Sequence, residues 1–215
     1  MDEHVFYLVN HFWARPGLDR VMAVASSWDF WWPFLVLGVL AVLAFGGFHA
    51  RVMLVVAGLA VGVTDGIVVD SLKGIVGRPR PHEVLYGART LDLAKAKPRF
   101  LAIGKPLREE FSQPGIRPPH GNSFPSGHAA NNFALASVVA VFYRRFGWLA
   151  FFPAAVVSYS RIYVGSHWPL DVVVSCLIGA GVGLLVTAGL EASWRRWGQK
   201  LLPALRHSHP SLLPA

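Results

Sequence analysis

The run LDVVVSCLIGAGVGLLVTAGL, residues 170–190, decides the fold class. Apart from Asp171 near its start it carries no charge over its whole length. A helix needs about 20 mostly apolar residues to cross the hydrocarbon of a bilayer, so this run reads as a membrane span. Working outward, the same criterion marks residues 31–48 and 52–72, the second of which contains Thr64, Asp65 and Asp70. Residues 129–143 and 148–159 are shorter apolar runs that extend into polar flanks. Bulk composition agrees: 53% of the chain is hydrophobic, the mean hydropathy is +0.43 and 15% is charged, against about 25% in a soluble domain. The expected fold is all-α, a polytopic membrane helix bundle of five spans, or six if residues 1–30 also cross. In that N-terminal part Leu18, Val21, Met22 and Ala25 fall at helical spacing around Asp19 and Arg20, which suits an interfacial amphipathic helix. The expected organisation is an N-terminal interfacial segment (1–30), a membrane domain (31–190) with an extracytoplasmic loop at 82–124, and a basic cytoplasmic tail (191–215).

The formal net charge is +8. Its basic residues sit at span ends and in the long loop, a pattern that suits anionic headgroups and phosphate, so no nucleic-acid partner is expected. The short segments with His49 and Arg51, with Arg144 and Arg145, and with Arg195, Arg196, Lys200 and Arg206 are almost free of acids and read as cytoplasmic. That choice puts the long loop and the 161–168 connection outside. Trp28, Trp31, Trp32 and Trp168 would form one headgroup-level belt, and Trp148, Trp194 and Trp197 the other. Asp2 and Glu3 stand where a signal peptide carries basic residues, so cleavage there is not expected. Cys176 is the one cysteine, it lies in an apolar run, and it reads as packing.

The unusual polar residues gather at one set of span ends. Lys73, Arg78 and Arg80 follow the second span, in a stretch where Gly77, Pro79 and Pro81 interrupt any helix. Phe124-Pro125-Ser126-Gly127-His128 opens the third. Proline suits a first helical turn, and the free N–H groups of that turn make an anion site to which the Ser126 hydroxyl can add a bond. Arg161 ends the fourth span, while His167 and Asp171 open the fifth at i, i+4. That spacing would let the carboxylate accept from one imidazole nitrogen and leave the other free as a nucleophile. His128 and His167 lack a third neighbouring ligand and stand among cations, so no metal is expected. Asp70 lies three residues before Lys73, within reach of an ion pair, and Asp65 needs a hydrogen-bonding partner at its depth.

Taken in order, Lys73-x6-Arg80-Pro81, Pro125-Ser126-Gly127-His128 and Ser160-Arg161-x5-His167-x3-Asp171 resemble the three-part signature of the type 2 phosphatidic acid phosphatase family. The resemblance covers about residues 30–190. It implies a bundle of five or six spans and a phosphatase that needs no cofactor. It implies His167 as nucleophile, forming a phosphohistidine. Asp171 would be its orienter and His128 the acid and base. Lys73, Arg80, Ser126, Gly127 and Arg161 would hold the phosphate oxygens. Vanadium haloperoxidases share the signature, but the apolar composition argues against one here. A lipid phosphotransferase differs only in its acceptor and stays open as the alternative. The implied substrate is a membrane lipid phosphate: a polyprenyl diphosphate, phosphatidylglycerophosphate, phosphatidic acid or a lipid A-like glycolipid. The implied location is a bacterial inner membrane, with the site on the periplasmic side. The 82–124 loop reads either as a cap that contacts a second anionic group or as a basic surface held near anionic lipid.

Overall fold

The computed structural model describes residues 1–115 and 122–214. Helix α1 (Asp2–Tyr7) continues into a π turn (Leu8–Phe12), and α2 (Pro16–Ser26) and α3 (Trp28–Phe45) follow. α4 (Phe48–Val63), a second π turn (Thr64–Val69) and α5 (Asp70–Val76) form one unbroken helical segment. The long loop then holds a short α6 (Pro81–Val84), strands β1 (Arg89–Asp92) and β2 (Arg108–Phe111), and between the strands a 3-10 turn (Arg99–Gly104). α7 (Gly127–Phe142), α8 (Phe151–Tyr163), α9 (Pro169–Leu201) and a short α10 (Pro203–Ser208) complete the chain. The protein is a helical bundle, and among the described residues its one departure from all-α is the antiparallel β1–β2 pair, with Arg89 opposite Phe111 and Asp92 opposite Arg108.

Among the described residues, three helical segments are long and apolar enough to cross a membrane: α3, the segment that α4 opens, and α9. Only 6% of the apolar window of α3 is buried within the protein. A helix that is apolar on every side and uncovered by protein is at home in lipid, and the chain is an integral membrane protein. α7, at 16 residues, and α8, at 13, coincide with the two shorter apolar runs. Gly77, at φ +60°, ends α5 in the left-handed conformation that glycine adopts without strain.

The closest packing in the bundle joins α7 to α9. On α9 every fourth residue faces inward, so that Asp171, Ser175, Gly179, Gly183, Thr187 and Glu191 are all buried. Gly179 lies against the carbonyl of Ala130, and a Cβ there would collide with it. A Cβ on Gly183 would stand 2.5 Å from the carbonyl oxygen of Ala134. Small residues four apart let two helix backbones touch, which gives dispersion contacts that lipid cannot supply.

The N-terminal segment and the long loop fold together over one end of this bundle. Asn10 is fully buried; its amide donates to the carbonyls of Arg89 (2.9 Å) and Tyr163 (2.8 Å) and accepts from Arg89 N–H (2.9 Å). The buried Arg89 guanidinium bridges Asp19 (2.6 Å) and Glu109, and lies over the Tyr163 ring. Gly165, at φ +77°, lets the Arg89 carbonyl pass where a side chain would block it. Phe6, Leu91, Leu93 and Ala102 fill the space beneath. The loop is therefore ordered where it is described, although Arg117 lies outside the described residues. Of the apolar positions noted in α2, Met22 is buried, Leu18 packs on the core and Val21 is exposed. At the far end Leu212 N–H and the Ser211 hydroxyl bond Glu191, and His209 stacks on Phe48 at 3.7 Å.

Two expectations change. Trp168 does not join a headgroup belt: it is 8% exposed, packs on Phe6, and donates its N–H to the Pro79 carbonyl at 2.8 Å. Its place before α9 fixes the chain reversal, so its indole is used on protein. Asp70 forms no ion pair with Lys73 among the described residues, although both lie in α5 at i, i+3. Asp65 does have a partner, accepting from Asn131 Nδ2 at 3.1 Å.

The seam between α7 and α9 is testable by volume. Gly179→Val is expected to cost about 1–3 kcal/mol through overpacking and to lower the thermal midpoint of the purified protein in detergent. Gly181→Val, which meets open space, is expected to change it little.

Candidate active site

Each motif residue is delivered by a helix end. Lys73 lies in the last turn of α5, and Arg78 and Arg80 lie on the extended segment beyond Gly77. That segment is pinned twice, by the Trp168 bond to Pro79 and by Ser123 N–H donating to the Arg78 carbonyl at 2.8 Å. Ser126 is the N-cap of α7, its hydroxyl accepting from Ala129 N–H at 3.5 Å. The Ser126 N–H is held by Ser175 Oγ at 2.8 Å, which seats the start of α7 on α9. Gly127 and His128 are the first two helical residues, whose N–H groups have no acceptor within a helix. Arg161 lies near the end of α8, and His167 in the connection to α9.

These segments meet. Arg161, Arg80 and Lys73 all lie within electrostatic reach of His128. Arg161, Arg80 and His128 reach His167 in the same way. Among the described residues, none of the three cations forms an ion pair with a carboxylate. Arg161 Nη1 is held by the carbonyl and hydroxyl of Ser26, while its Nε is buried without a partner. Unneutralised cations beside a helix N-terminus make a receptor for a multiply charged oxyanion.

The expected bond between His167 and Asp171 is absent. His167 precedes the helix and Trp168 is its N-cap, so helical i, i+4 geometry does not apply to the pair. The His167 Nδ1–H instead donates to the Ser123 carbonyl at 2.6 Å. Asp171 accepts from the Ser123 hydroxyl (2.6 Å) and from Arg78 Nη1 (2.5 Å). Arg78 also donates to Asp2 (2.7 Å), whose other oxygen accepts from Leu170 N–H (2.9 Å). The carboxylate therefore reaches the imidazole through Ser123. A carbonyl acceptor requires the proton on Nδ1 and leaves the Nε2 lone pair free. Burial first, and then the guanidinium groups of Arg161 and Arg80, push His167 well below its ordinary value, so the ring is neutral.

Ser123, Arg78 and Asp2 were not singled out for these roles in the sequence. Ser123 sits two residues before the Pro-Ser-Gly-His motif and has no residue-type signal. Arg78 stands beside the motif arginine Arg80 and is told apart only by its partners. Among the described residues, no group of three His, Cys, Asp or Glu side chains is placed to hold a metal ion.

A family model described as the PAP2 superfamily matches residues 50–195, an interval that contains every motif residue above. The chain belongs to the PAP2 superfamily. It is 41% identical over 68 residues to an undecaprenyl-diphosphatase from Sulfolobus acidocaldarius, which covers 31% of this chain and 33% of that protein. It is 43% identical over 68 residues to a lipid A 4'-phosphatase from Bacteroides thetaiotaomicron, covering 30% of each. The matched part thus spans about a third of these curated relatives. The crystal structure of LpxE from Aquifex aeolicus superposes with a TM-score of 0.58 at 25% identity, covering 86% of this chain and 93% of that one.

Within this PAP2 site the two neighbouring arginines are expected to behave differently. Arg78→Ala leaves Asp171 and Asp2 unpaired and should lower stability by about 3 kcal/mol, read as a fall in thermal midpoint. Arg80→Ala removes a cation that has no carboxylate partner among the described residues. It should leave the midpoint unchanged or raise it, and weaken orthophosphate or vanadate binding about tenfold, roughly the loss of one charge-assisted hydrogen bond. Calorimetry on the two variants checks both.

Proposed function

We propose that the protein hydrolyses a membrane lipid phosphate, a phosphomonoester or a diphosphate, through a phosphohistidine on His167. What carries this reading is the state of His167: neutral, with Nδ1–H tied to Ser123 and Nε2 free beside Arg80 and Arg161. The phosphoryl oxygens sit among Lys73, Arg80 and Arg161, the Ser126 hydroxyl and the Gly127 N–H. Phosphoryl transfer asks mainly for this, positioning and positive charge around the equatorial oxygens. The Nε2 lone pair attacks phosphorus as the bond to the leaving oxygen breaks. His128, protonated once the anion is bound beside it, gives that oxygen its proton. His128 then takes a proton from water, the water oxygen attacks phosphorus, and the N–P bond breaks to release orthophosphate and neutral His167. Asp171, acting through Ser123, stabilises the positive charge that His167 carries while phosphorylated.

On this reading α3, the α4–α5 segment, α7, α8 and α9 are five spans. The N-terminal segment and the long loop lie with the site on the extracytoplasmic face of a bacterial plasma membrane, and the basic tail is cytoplasmic. The undecaprenyl-diphosphatase and lipid A 4'-phosphatase relatives support polyprenyl diphosphate and phosphorylated glycolipid as the first substrates to try.

Purified protein in detergent is expected to release phosphate from at least one lipid of a panel of these two with phosphatidic acid and phosphatidylglycerol phosphate. His167→Ala should abolish release, and His128→Ala should accumulate an acid-labile phosphoprotein. Full turnover by His167→Ala would overturn the assignment.

The acid side of the pH profile tests the state of His167. Its protonation lies well below 6.5, so kcat/KM should hold its plateau as the pH falls through that value. Arg80→Gln removes a positive neighbour and should shift the acid limb upward. A wild-type limb centred at 6.5 or above would contradict this.

A further inference from the structure

A cavity of about 440 Å³ opens beside Arg161, lined also by Ser26, His82, Thr90, Asp92, Glu110 and Ser166. Its size is in the range of about 300–1,000 Å³ usual for small-molecule sites. It adjoins the phosphate locus on two counts: Arg161 belongs to both, and Ser166 immediately precedes His167.

The lining has unused hydrogen-bonding capacity. His82 Nδ1 is engaged by the Gly165 carbonyl at 3.1 Å, which leaves Nε2 as an acceptor. The Ser166 hydroxyl has no partner among the described residues. Among the described residues the exposed Glu110 carboxylate meets only Arg108, at 3.4 Å. The charge balance matters more. Asp92 is held by Arg99 through both of its oxygens (2.9 and 3.0 Å) and Glu110 by Arg108, so with Arg161 committed to the scissile phosphate each remaining cation is already matched to a carboxylate. A second phosphate here would approach two carboxylates, an unfavourable encounter in a partly enclosed site. Hydroxyl groups suit the same lining, because they donate to carboxylates and accept from a guanidinium. The loop cations Lys95, Lys97 and Arg99 line a separate cavity beside Asp29 and Trp32.

We propose that the cavity beside Arg161 is a subsite for an uncharged, hydroxyl-bearing headgroup attached to the scissile phosphate. The proposal rests on the phosphatase reading above and narrows its substrate. A sugar ring and a glycerol unit present the same vicinal hydroxyls, so both belong in the test.

The experiment compares kcat/KM of the purified full chain in detergent on four substrates: a phosphorylated diglucosamine lipid, phosphatidylglycerol phosphate, phosphatidic acid and farnesyl diphosphate. The wild type should prefer one of the first two, and which one identifies sugar or glycerol. Glu110→Gln should lower kcat/KM for that substrate about tenfold relative to phosphatidic acid, the effect of one hydrogen bond to a charged group. Glu110→Lys should shift preference toward farnesyl diphosphate by a similar factor, and a change in either ratio at an unaltered thermal midpoint supports the subsite. Ratios unmoved by both variants overturn the subsite and leave the phosphatase reading standing. No release from any of the four by the wild type overturns that reading, and the subsite with it.

Discussion

The contact between α7 and α9 is the constraint on which the rest of the molecule depends. A single stripe on α9, one residue in every four from Asp171 to Glu191, runs along this seam. Its upper members, Asp171 and Ser175, hold the Ser123 hydroxyl and the Ser126 N–H. Its middle members are glycines that allow the two backbones to touch. Its last member, Glu191, gathers the tail. The polar bonds at the top have a range of a few tenths of an ångström. They hold only because the glycines below set the distance between helix axes. The position of the α7 N-terminus relative to His167 is thus decided several turns away, by side chains that are absent.

The cations divide into two populations with opposite tasks. Arg78 and Arg89 are matched to carboxylates and tie the N-terminal segment, the loop and the bundle into one body. Lys73, Arg80 and Arg161 have no carboxylate partner among the described residues. Like charges held together cost stability until an anion arrives among them. The matched set makes that arrangement tolerable by fixing the surrounding backbone from several sides. Arg78 and Arg80, two residues apart, fall on either side of this division.

Much of the site was legible because it is written in residue type and order. A span end with a cation, a Pro-Ser-Gly-His helix start, and an arginine and histidine around a chain reversal are local signals. The long apolar runs at 31–48, 52–72 and 170–190 gave three helical segments for the same reason. What the sequence did not reveal depends on contacts between distant positions. Arg78 and Asp171 are 93 residues apart, and Asn10 and Tyr163 are 153 apart. The His167–Asp171 spacing suggested a helical pair, but the helix begins after His167, and a backbone carbonyl with no sequence signature takes the bond. Trp168 looked like an interfacial anchor from its neighbours, and its burial follows from Phe6, far away in the chain. The Gly179–Gly183 spacing was visible and is itself a known helix-contact signal.

The tie between Asp2 and the start of α9 has a consequence for biogenesis. The N-terminal segment waits for several of its partners: Arg89, Tyr163 and Leu170 are all made long after Asp2 and Asn10. Until the start of α9 is made, Asp2 lacks its Leu170 partner and Phe6 lacks the Trp168 ring on which it packs. The nucleophile cluster therefore closes only once the start of α9 has been made. A chain stalled before α9 presents its cations without the Asp2, Arg78 and Asp171 clasp that organises them.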